Sequence, residues 1–244
     1  FVMANVATIN AIISQPMKSV VMQPVYHIRD QGRFPACEGA AHASCFDTES
    51  FIASGFDIWR DARRRQGDLS NPHIGTFDNY ARESVCKLGV IEQRHDEFLD
   101  TPSRWTDAMR MPSLKNQIEG FERRKVLGDT HSINPWADDA YTQLSKCLSL
   151  GYRAIITTAV KPAFCDIKMC ELADESHLGL EGAIGYHALR VLGITDFLTE
   201  DHRVVRTLVC QNSWGKSWGS DGLCHIDATN IGRVVNTINV FRVQ

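Results

Sequence analysis

The sequence predicts an α+β fold, with helices in the first half of the chain and strands in the second. The chain has 244 residues, of which 43% are hydrophobic and 23% charged. That is enough apolar material for one large domain or two closely packed lobes. Apolar residues recur at helical spacing up to about residue 150, and short β-branched runs follow. Helices followed by strands are typical of a helical layer that meets a sheet along a seam.

Four segments are predicted as helices because apolar residues recur in them every three to four positions. They are 37–54, 77–88, 113–127 and 138–150. Gly55 is expected to end the first helix, and Thr76 and Gly89 are expected to flank the second. Residues 99–137, rich in proline, tryptophan and charge, are interpreted as a hinge or an insertion between lobes.

Five later segments are predicted as strands, since they are β-branched and partly alternating. They are 153–160, 187–194, 204–210, 223–226 and 234–243.

The charge and hydropathy of the chain exclude several classes of protein. The 26 Lys and Arg residues are balanced by 29 Asp and Glu residues, so no basic stripe indicates a nucleic-acid partner. The longest basic run, 63–65, is expected to be a solvated helix end or loop. No stretch approaches the 18 apolar residues that predict a membrane span, so no membrane partner is expected.

One of the eight cysteines stands in a setting that favours reactivity. Cys37 is predicted to begin a helix, directly after a loop that contains Gly32 and Pro35. A thiolate there is stabilised by unpaired backbone N–H groups and by the helix dipole. Cys165 and Cys170, by contrast, form a C-x4-C pair with no second pair, which does not predict a zinc site.

Two later motifs supply the partners that a nucleophilic cysteine needs. Residues 185–188 read Gly-Tyr-His-Ala, and residues 211–219 read Gln-Asn-Ser-Trp-Gly-Lys-Ser-Trp-Gly. His187 follows Cys37 by 150 positions, and Asn212 follows His187 by 25. With the Gln31-Gly32 pair ahead of Cys37, these motifs resemble the papain-like cysteine peptidases, the family that includes the cathepsins.

The resemblance implies a two-lobe fold and a role for each matching residue. The N-terminal lobe would be helical, the C-terminal lobe antiparallel and β-barrel-like, and the active site would lie in the cleft between them. Cys37 would be the nucleophile, His187 its base, and Asn212 the group that orients the imidazole. Gln31 and the Cys37 backbone N–H would form the oxyanion hole.

Four further residues take supporting roles by the same resemblance. Trp214 would shield the His–Asn hydrogen bond from water, and Trp218 would form a wall on the leaving-group side. Gly75 would pair with the backbone of an extended substrate, and Ala188 would line the main specificity pocket.

The resemblance also implies how the chain is organised and what it binds. Residues 1–244 would form one catalytic domain, with 1–24 as an N-terminal extension or arm, about 25–135 as the helical lobe and about 136–244 as the β-rich lobe. The expected partners are a protein or peptide substrate and, in addition, an inhibitory pro-segment or an immunity protein. Neither a metal nor an organic cofactor is implied.

Two departures from the family pattern carry predictions of their own. Phe34 replaces a cysteine that is disulfide-bonded in secreted members, which favours a reducing compartment, either the cytoplasm or that of a target cell. A bacterial effector or toxin domain would fit that setting. Glu38, next to the thiol, is expected to raise the pKa of Cys37.

Three functions are compatible with these residues. The leading hypothesis is a cysteine endopeptidase that acts through a thioacyl intermediate. The second uses the same triad for transamidation, deamidation or amide hydrolysis in peptidoglycan. The third is a catalytically inactive papain-like binding module.

Overall fold

A computed structural model of the chain describes residues 22–68, 74–95 and 127–243. Within those ranges the helices are α1 Cys37–Ser44, α2 Gly55–Gln66, α3 Asp78–Leu88, α4 Ala140–Ser149, α5 Pro162–Cys165 and α6 Ile231–Val234, with a 3₁₀ turn at Gln93–His95. The strands are β1 Leu127–Ile133, β2 Arg153–Val160, β3 Leu172–Ala173, β4 Gly185–Leu198, β5 Val204–Gln211, β6 Leu223–Asp227 and β7 Thr237–Val243. The predicted α+β class is confirmed.

The prediction of a single helix over 37–54 is wrong, because α1 ends at Ser44 and a second helix begins at Gly55. The Asp47 carboxylate fixes the intervening turn by accepting hydrogen bonds from Arg29 and from the Ala53 backbone. Gly55 therefore begins a helix rather than ending one. A Cβ at Gly55 would lie 3.1 Å from the Ala40 Cα, so a larger residue there would push α1 and α2 slightly apart.

The other predicted helices are partly confirmed. Helix α4 lies within the predicted segment 138–150, and Gly89 follows α3 with a φ of 76°, as expected of a glycine past a helix end. Phe77 is the N-cap residue of α3, so the predicted capping role of Thr76 is wrong. The predicted third helix lies outside the described residues up to 126, and its last position, 127, begins strand β1 instead.

One seven-stranded sheet contains all the strands, in the order β1-β7-β2-β4-β5-β6-β3. The pairs are antiparallel except for β3 with β6. All five predicted strands are present, with β4 extended to Leu198 and with β7 beginning at Thr237 rather than at 234. The unpredicted β1 pairs with β7, with Ile133 opposite Ile238.

Two hydrophobic cores lie on opposite faces of strand β2, since successive side chains of a strand point to opposite sides. Ile155 packs among α1, α2 and α3, in a core that also contains Ile58. Its neighbour Ile156 packs in a second core with Leu144 of α4 and Leu208 of β5. The helical first half thus covers one face of the sheet, and the start of α1 meets the sheet near the beginning of β4.

Among the described residues, no helix has both the length and the apolar character needed to cross a membrane.

Candidate active site

Cys37 is the first residue of α1, as the sequence predicts, and its side chain is half-buried. Burial raises the pKa of the Cys37 thiol to about 12, and the Glu38 carboxylate acts in the same direction. Backbone groups of Ala188 and Glu38 oppose this and favour the thiolate. The helix start therefore supports the thiolate, as expected, while its surroundings stabilise the neutral thiol.

His187 and Asn212 form a buried pair on the sheet side of the site. The imidazole Nε2 donates a hydrogen bond of 2.6 Å to Asn212 Oδ1, which also accepts one from the Ser213 backbone N–H. Since Oδ1 can only accept, the proton of a neutral imidazole is fixed on Nε2. Nδ1 then carries the lone pair, which leaves it free to take up a proton.

Aromatic rings cover this pair. The Trp214 ring lies 4.4 Å from the His187 ring between centroids, and Phe164 packs against both. Burial lowers the pKa of His187 to about 4, although the hydrogen bond to Asn212 acts in the opposite direction. Trp214 therefore lies against the His187 ring, and its role as a shield of the hydrogen bond stays a prediction.

The two ends of the sequence that carry the motifs are joined by hydrogen bonds. The Gln31 backbone N–H donates to the Ser213 carbonyl, and the Gly215 N–H donates to the Arg29 carbonyl. The Ser213 hydroxyl also donates to Gln31 Oε1, and Gln31 Nε2 donates to the Phe34 carbonyl. These bonds hold the Gln31 side-chain amide in one orientation. The bond to Phe34 uses one of the two Nε2 hydrogens.

A cleft of about 910 Å³ brings most of the predicted residues together. Five of the eight line it: Gln31, Cys37, Gly75, His187 and Trp214. Asn212 lies behind His187 and is buried. The structure therefore places the predicted nucleophile, base and oxyanion donor around one space.

Ala188 and Trp218 lie outside the residues that line this cleft. Ala188 is 1% exposed, packs in the helix-side core and influences Cys37 through its backbone. Trp218 lines a neighbouring depression of about 430 Å³ that shares Cys165 and Trp214 with the cleft. The predicted pocket role of Ala188 and leaving-group role of Trp218 stay predictions.

Arg63 fixes the segment that carries Gly75, a role that the sequence did not reveal. Its guanidinium donates 2.7 Å to the Ile74 carbonyl and 3.3 Å to the Gly75 carbonyl. Arg63 is fully buried, so the expectation of a solvated basic run at 63–65 is wrong for this residue. Helical spacing explains this, because it turns one side of α2 toward the protein whatever the charge.

Two other buried arginines position the site and were also missed. Arg29 makes a bidentate ion pair with Asp47, at 2.6 and 2.9 Å. Arg190 of β4 donates 2.6 Å to the Ser44 carbonyl at the end of α1. Sequence periodicity does not distinguish a buried arginine from an exposed one, so only the structure identifies these hydrogen bonds.

Glu38 is buried beside the thiol, and its pKa is raised well above the usual range by burial and by Asp78. The predicted effect of Glu38 on Cys37 is confirmed in direction. Thr157 reduces the rise by donating a hydrogen bond of 3.2 Å to Glu38 Oε1. The helical side of the cleft therefore carries a carboxyl group that opposes thiol ionisation whenever it is charged.

Comparison with solved structures identifies the fold, whereas comparison of sequences does not. No protein-family model matches the sequence, and no curated protein matches it either. Xylellain, a cysteine protease from Xylella fastidiosa, is similar with a TM-score of 0.72 at 20% identity, over 95% of this chain and 88% of that one. Procathepsin B S9 from Trypanosoma congolense gives 0.65 at 12% identity, over 96% and 80%.

A Carica candamarcensis cysteine protease in complex with E-64 gives a TM-score of 0.55 at 16% identity, over 89% of this chain and 92% of that one. These likenesses extend over nearly the whole chain, including both sides of the cleft. The chain therefore has the fold of the papain-like cysteine peptidases.

Proposed function

We propose that the protein is a cysteine endopeptidase that cleaves peptide bonds through a thioacyl intermediate on Cys37. The observation that carries this proposal is the placement of Cys37, His187 and Gln31 around one cleft, with His187 oriented by Asn212. Solved structures with the same fold are those of cysteine proteases, which supports the same assignment.

In the proposed first step, His187 Nδ1 takes the proton from Cys37 Sγ, and the sulfur attacks the substrate carbonyl carbon. The carbonyl π electrons move to oxygen, and the resulting oxyanion accepts hydrogen bonds from Gln31 Nε2 and the Cys37 backbone N–H. When the carbonyl re-forms, the C–N bond breaks and the imidazolium gives its proton to the departing amine.

In the second step, water attacks the thioester carbon while His187 accepts a proton from it. Collapse of this second tetrahedral intermediate breaks the C–S bond, and Cys37 recovers its proton from the imidazolium. The carboxylic acid product then leaves. Asn212 carries no charge through either step, so its contribution is to orient the ring and fix its tautomer.

Proton transfer from Cys37 to His187 also explains how both groups can become charged although their pKa values favour the neutral forms. Burial favours a neutral thiol and a neutral imidazole when each is considered alone. If the proton moves from one to the other, the two charges form together and attract one another in a region of low dielectric. The reactive form is thus an ion pair, which neither group reaches on its own.

Cleavage of a denatured protein such as casein tests the proposal, with new N-termini identified by mass spectrometry. The Cys37→Ala variant should lose cleavage while its circular dichroism spectrum is retained. Cys86→Ala, which changes an exposed cysteine on α3, is the matched control and should cleave like the wild type. Cleavage that survives in Cys37→Ala would refute the proposal.

The same assay separates the alternative functions. Transamidation or deamidation would modify side-chain amides without creating new N-termini, and a peptidoglycan amidase would leave casein intact. A binding module would leave Cys37 unreactive toward an epoxide inhibitor in the folded protein.

We further propose that activity is held in check by an inhibitory segment or a separate inhibitor protein that occupies the cleft. One structural neighbour is a procathepsin and another is an allergen protease in its proform, which supports an inhibitory segment. The role as a bacterial effector or toxin domain in a reducing compartment stays a prediction. A binding assay between the Cys37→Ala variant and candidate inhibitor proteins of the source cell tests whether such an inhibitor exists.

A further inference from the structure

A second cluster of chemically active side chains lies under the cleft, beginning one residue after Cys37. It consists of Glu38 and His42, one turn apart on α1, and Asp78 at the start of α3. One ligand atom from each lies within 4.8 Å of the others. His42 is fully buried, Glu38 is 3% exposed, and the Asp78 side chain is 14% exposed.

Each of the three side chains makes one hydrogen bond to an atom that is not one of the candidate ligand atoms. Thr157 donates to Glu38 Oε1 at 3.2 Å, and Asn239 donates to Asp78 Oδ2 at 2.9 Å. His42 Nδ1 lies 2.8 Å from the Glu38 carbonyl oxygen, to which only an N–H can donate. All three side chains are therefore oriented by their neighbours before any ligand binds.

The remaining atom of each side chain is buried and has no hydrogen-bond partner among the described residues. These atoms are Glu38 Oε2, His42 Nε2 and Asp78 Oδ1. Because Nδ1 holds the proton of the neutral imidazole, Nε2 presents a lone pair. With Glu38 ionised, as it would be beside a bound cation, the three atoms offer lone pairs with no donor among them, and buried acceptors are costly to leave unsatisfied.

A neighbouring cation does not supply the missing partner. Arg82 lies close enough to influence His42, but its guanidinium is directed to Asn239 Oδ1 at 3.3 Å and to the Ser132 hydroxyl at 3.4 Å. Because Arg82 binds Asn239 while Asn239 binds Asp78, it acts on the outer side of the cluster. A cation from solution could therefore bind between the three lone-pair atoms.

We propose that Glu38, His42 and Asp78 form a binding site for one divalent transition-metal ion of the Zn²⁺ type. One imidazole nitrogen and two carboxylate oxygens are ligands that Zn²⁺ accepts, at about 2.0–2.2 Å. Tetrahedral ligands at that range lie about 3.4 Å apart. His42 Nε2 and Asp78 Oδ1 are 3.9 Å apart, whereas Glu38 Oε2 lies 3.8 Å from His42 Nδ1, and the ligand atoms of the cluster lie within 4.8 Å of one another. Metal binding therefore requires the side chains to close and the Glu38 carboxylate to turn toward Nε2.

The outer hydrogen bonds strengthen this assignment. A ligating histidine typically donates its other ring N–H to a carbonyl or carboxylate, and ligating carboxylates are hydrogen-bonded in turn. Glu38 and Asp78 line the cleft whereas His42 lies beneath it, so the proposed metal site lies at the floor of the cleft. The site departs from the sequence-based expectation of no metal, and it does not depend on peptidase activity.

A second group of the same residue types provides a matched control. His177 lies 3.3 Å from Glu171 and 3.1 Å from Asp174, so both of its ring nitrogens have partners. Its two carboxylates have 41% and 51% of their side-chain surface exposed. This exposed, already paired group is expected to contribute nothing to tight metal binding.

Calorimetric titration of the chelator-treated full chain with Zn²⁺ tests the proposal. The wild type should bind one Zn²⁺ at this site. Glu38→Gln and Asp78→Asn should each weaken that binding by at least about tenfold, the smallest loss usual even for an outer-shell partner. The His177→Gln control should bind as the wild type does.

Glu38→Gln and Asp78→Asn are preferred to a His42 substitution, which would disturb a fully buried ring stacked on Phe241. Both keep an oxygen that can accept from Thr157 or Asn239. Zn²⁺ should also raise the Tm of the wild type more than that of either variant. Absence of binding in the wild type, or an affinity unchanged in either variant, would overturn the proposal.

Discussion

The two sides of the cleft differ in how far they are prepared for catalysis. On the sheet side, His187 is already hydrogen-bonded to Asn212 and covered by Trp214, in the tautomer that a base requires. On the helical side, Cys37 begins a helix that favours its thiolate, yet burial and Glu38 raise its pKa. The base is therefore preorganised, whereas ionisation of the nucleophile depends on proton transfer to that base.

The largest expected effect comes from removing the base. His187→Ala should lower kcat/KM for peptide cleavage by about 10²–10⁴-fold, the usual contribution of general acid–base catalysis. The measurement is cleavage of a fluorogenic peptide, with His225→Ala on β6 as the control. A loss below tenfold would show that His187 is not the catalytic base.

Stability should depend more on the buried ion pair of the helical side than on an exposed ion pair of the sheet side. Asp47→Ala leaves Arg29 buried without its bidentate partner, which should lower the free energy of unfolding by about 3–5 kcal/mol. Urea denaturation measures this. Asp201→Ala, which breaks an exposed pair with Arg203, should change stability by less than about 1 kcal/mol.

Gln31 connects the two sides, since its amide is fixed by Ser213 and directed toward the Cys37 side of the cleft. Gln31→Ala should lower kcat by about 10²–10³-fold with little change in KM, because an oxyanion donor acts mainly on the transition state. Gln143→Ala on α4 is the control. An unchanged kcat in Gln31→Ala would remove it from the oxyanion hole.

A pH dependence of stability should report the buried imidazole. In a Cys37→Ala background, His187 has no thiol to pair with, and burial lowers its pKa to about 4. The unfolded chain, with an ordinary histidine pKa of about 6.5, binds this proton more readily than the folded one between those values. Its contribution to stability is therefore full above pH 6.5 and is lost as the pH falls to 4.

The difference in unfolding free energy between Cys37→Ala and Cys37→Ala/His187→Gln should thus change by about 3 kcal/mol across that window. Urea denaturation at each pH measures it. Parallel stability curves for the two variants would contradict a buried, neutral imidazole.

The sequence predicts the site better than it predicts the helical layer. Cys37, His187 and Asn212 belong to motifs that fix residue type at close spacing, and the structure brings them to one region. The split between α1 and α2 depends on Asp47 binding Arg29, a long-range contact that helical periodicity does not encode. The Glu38–His42–Asp78 cluster was missed for the same reason, since Asp78 joins it only through packing of α3 on α1.

Selective alkylation is the most direct test of whether His187 activates Cys37. The folded protein is treated at pH 7 with limiting iodoacetamide in the presence of a chelator, and each cysteine is followed by peptide mass spectrometry. Cys37 is expected to react faster than the exposed Cys86, Cys165 and Cys170, and His187→Ala should remove this advantage. Equal rates for Cys37 in the wild type and His187→Ala would contradict it.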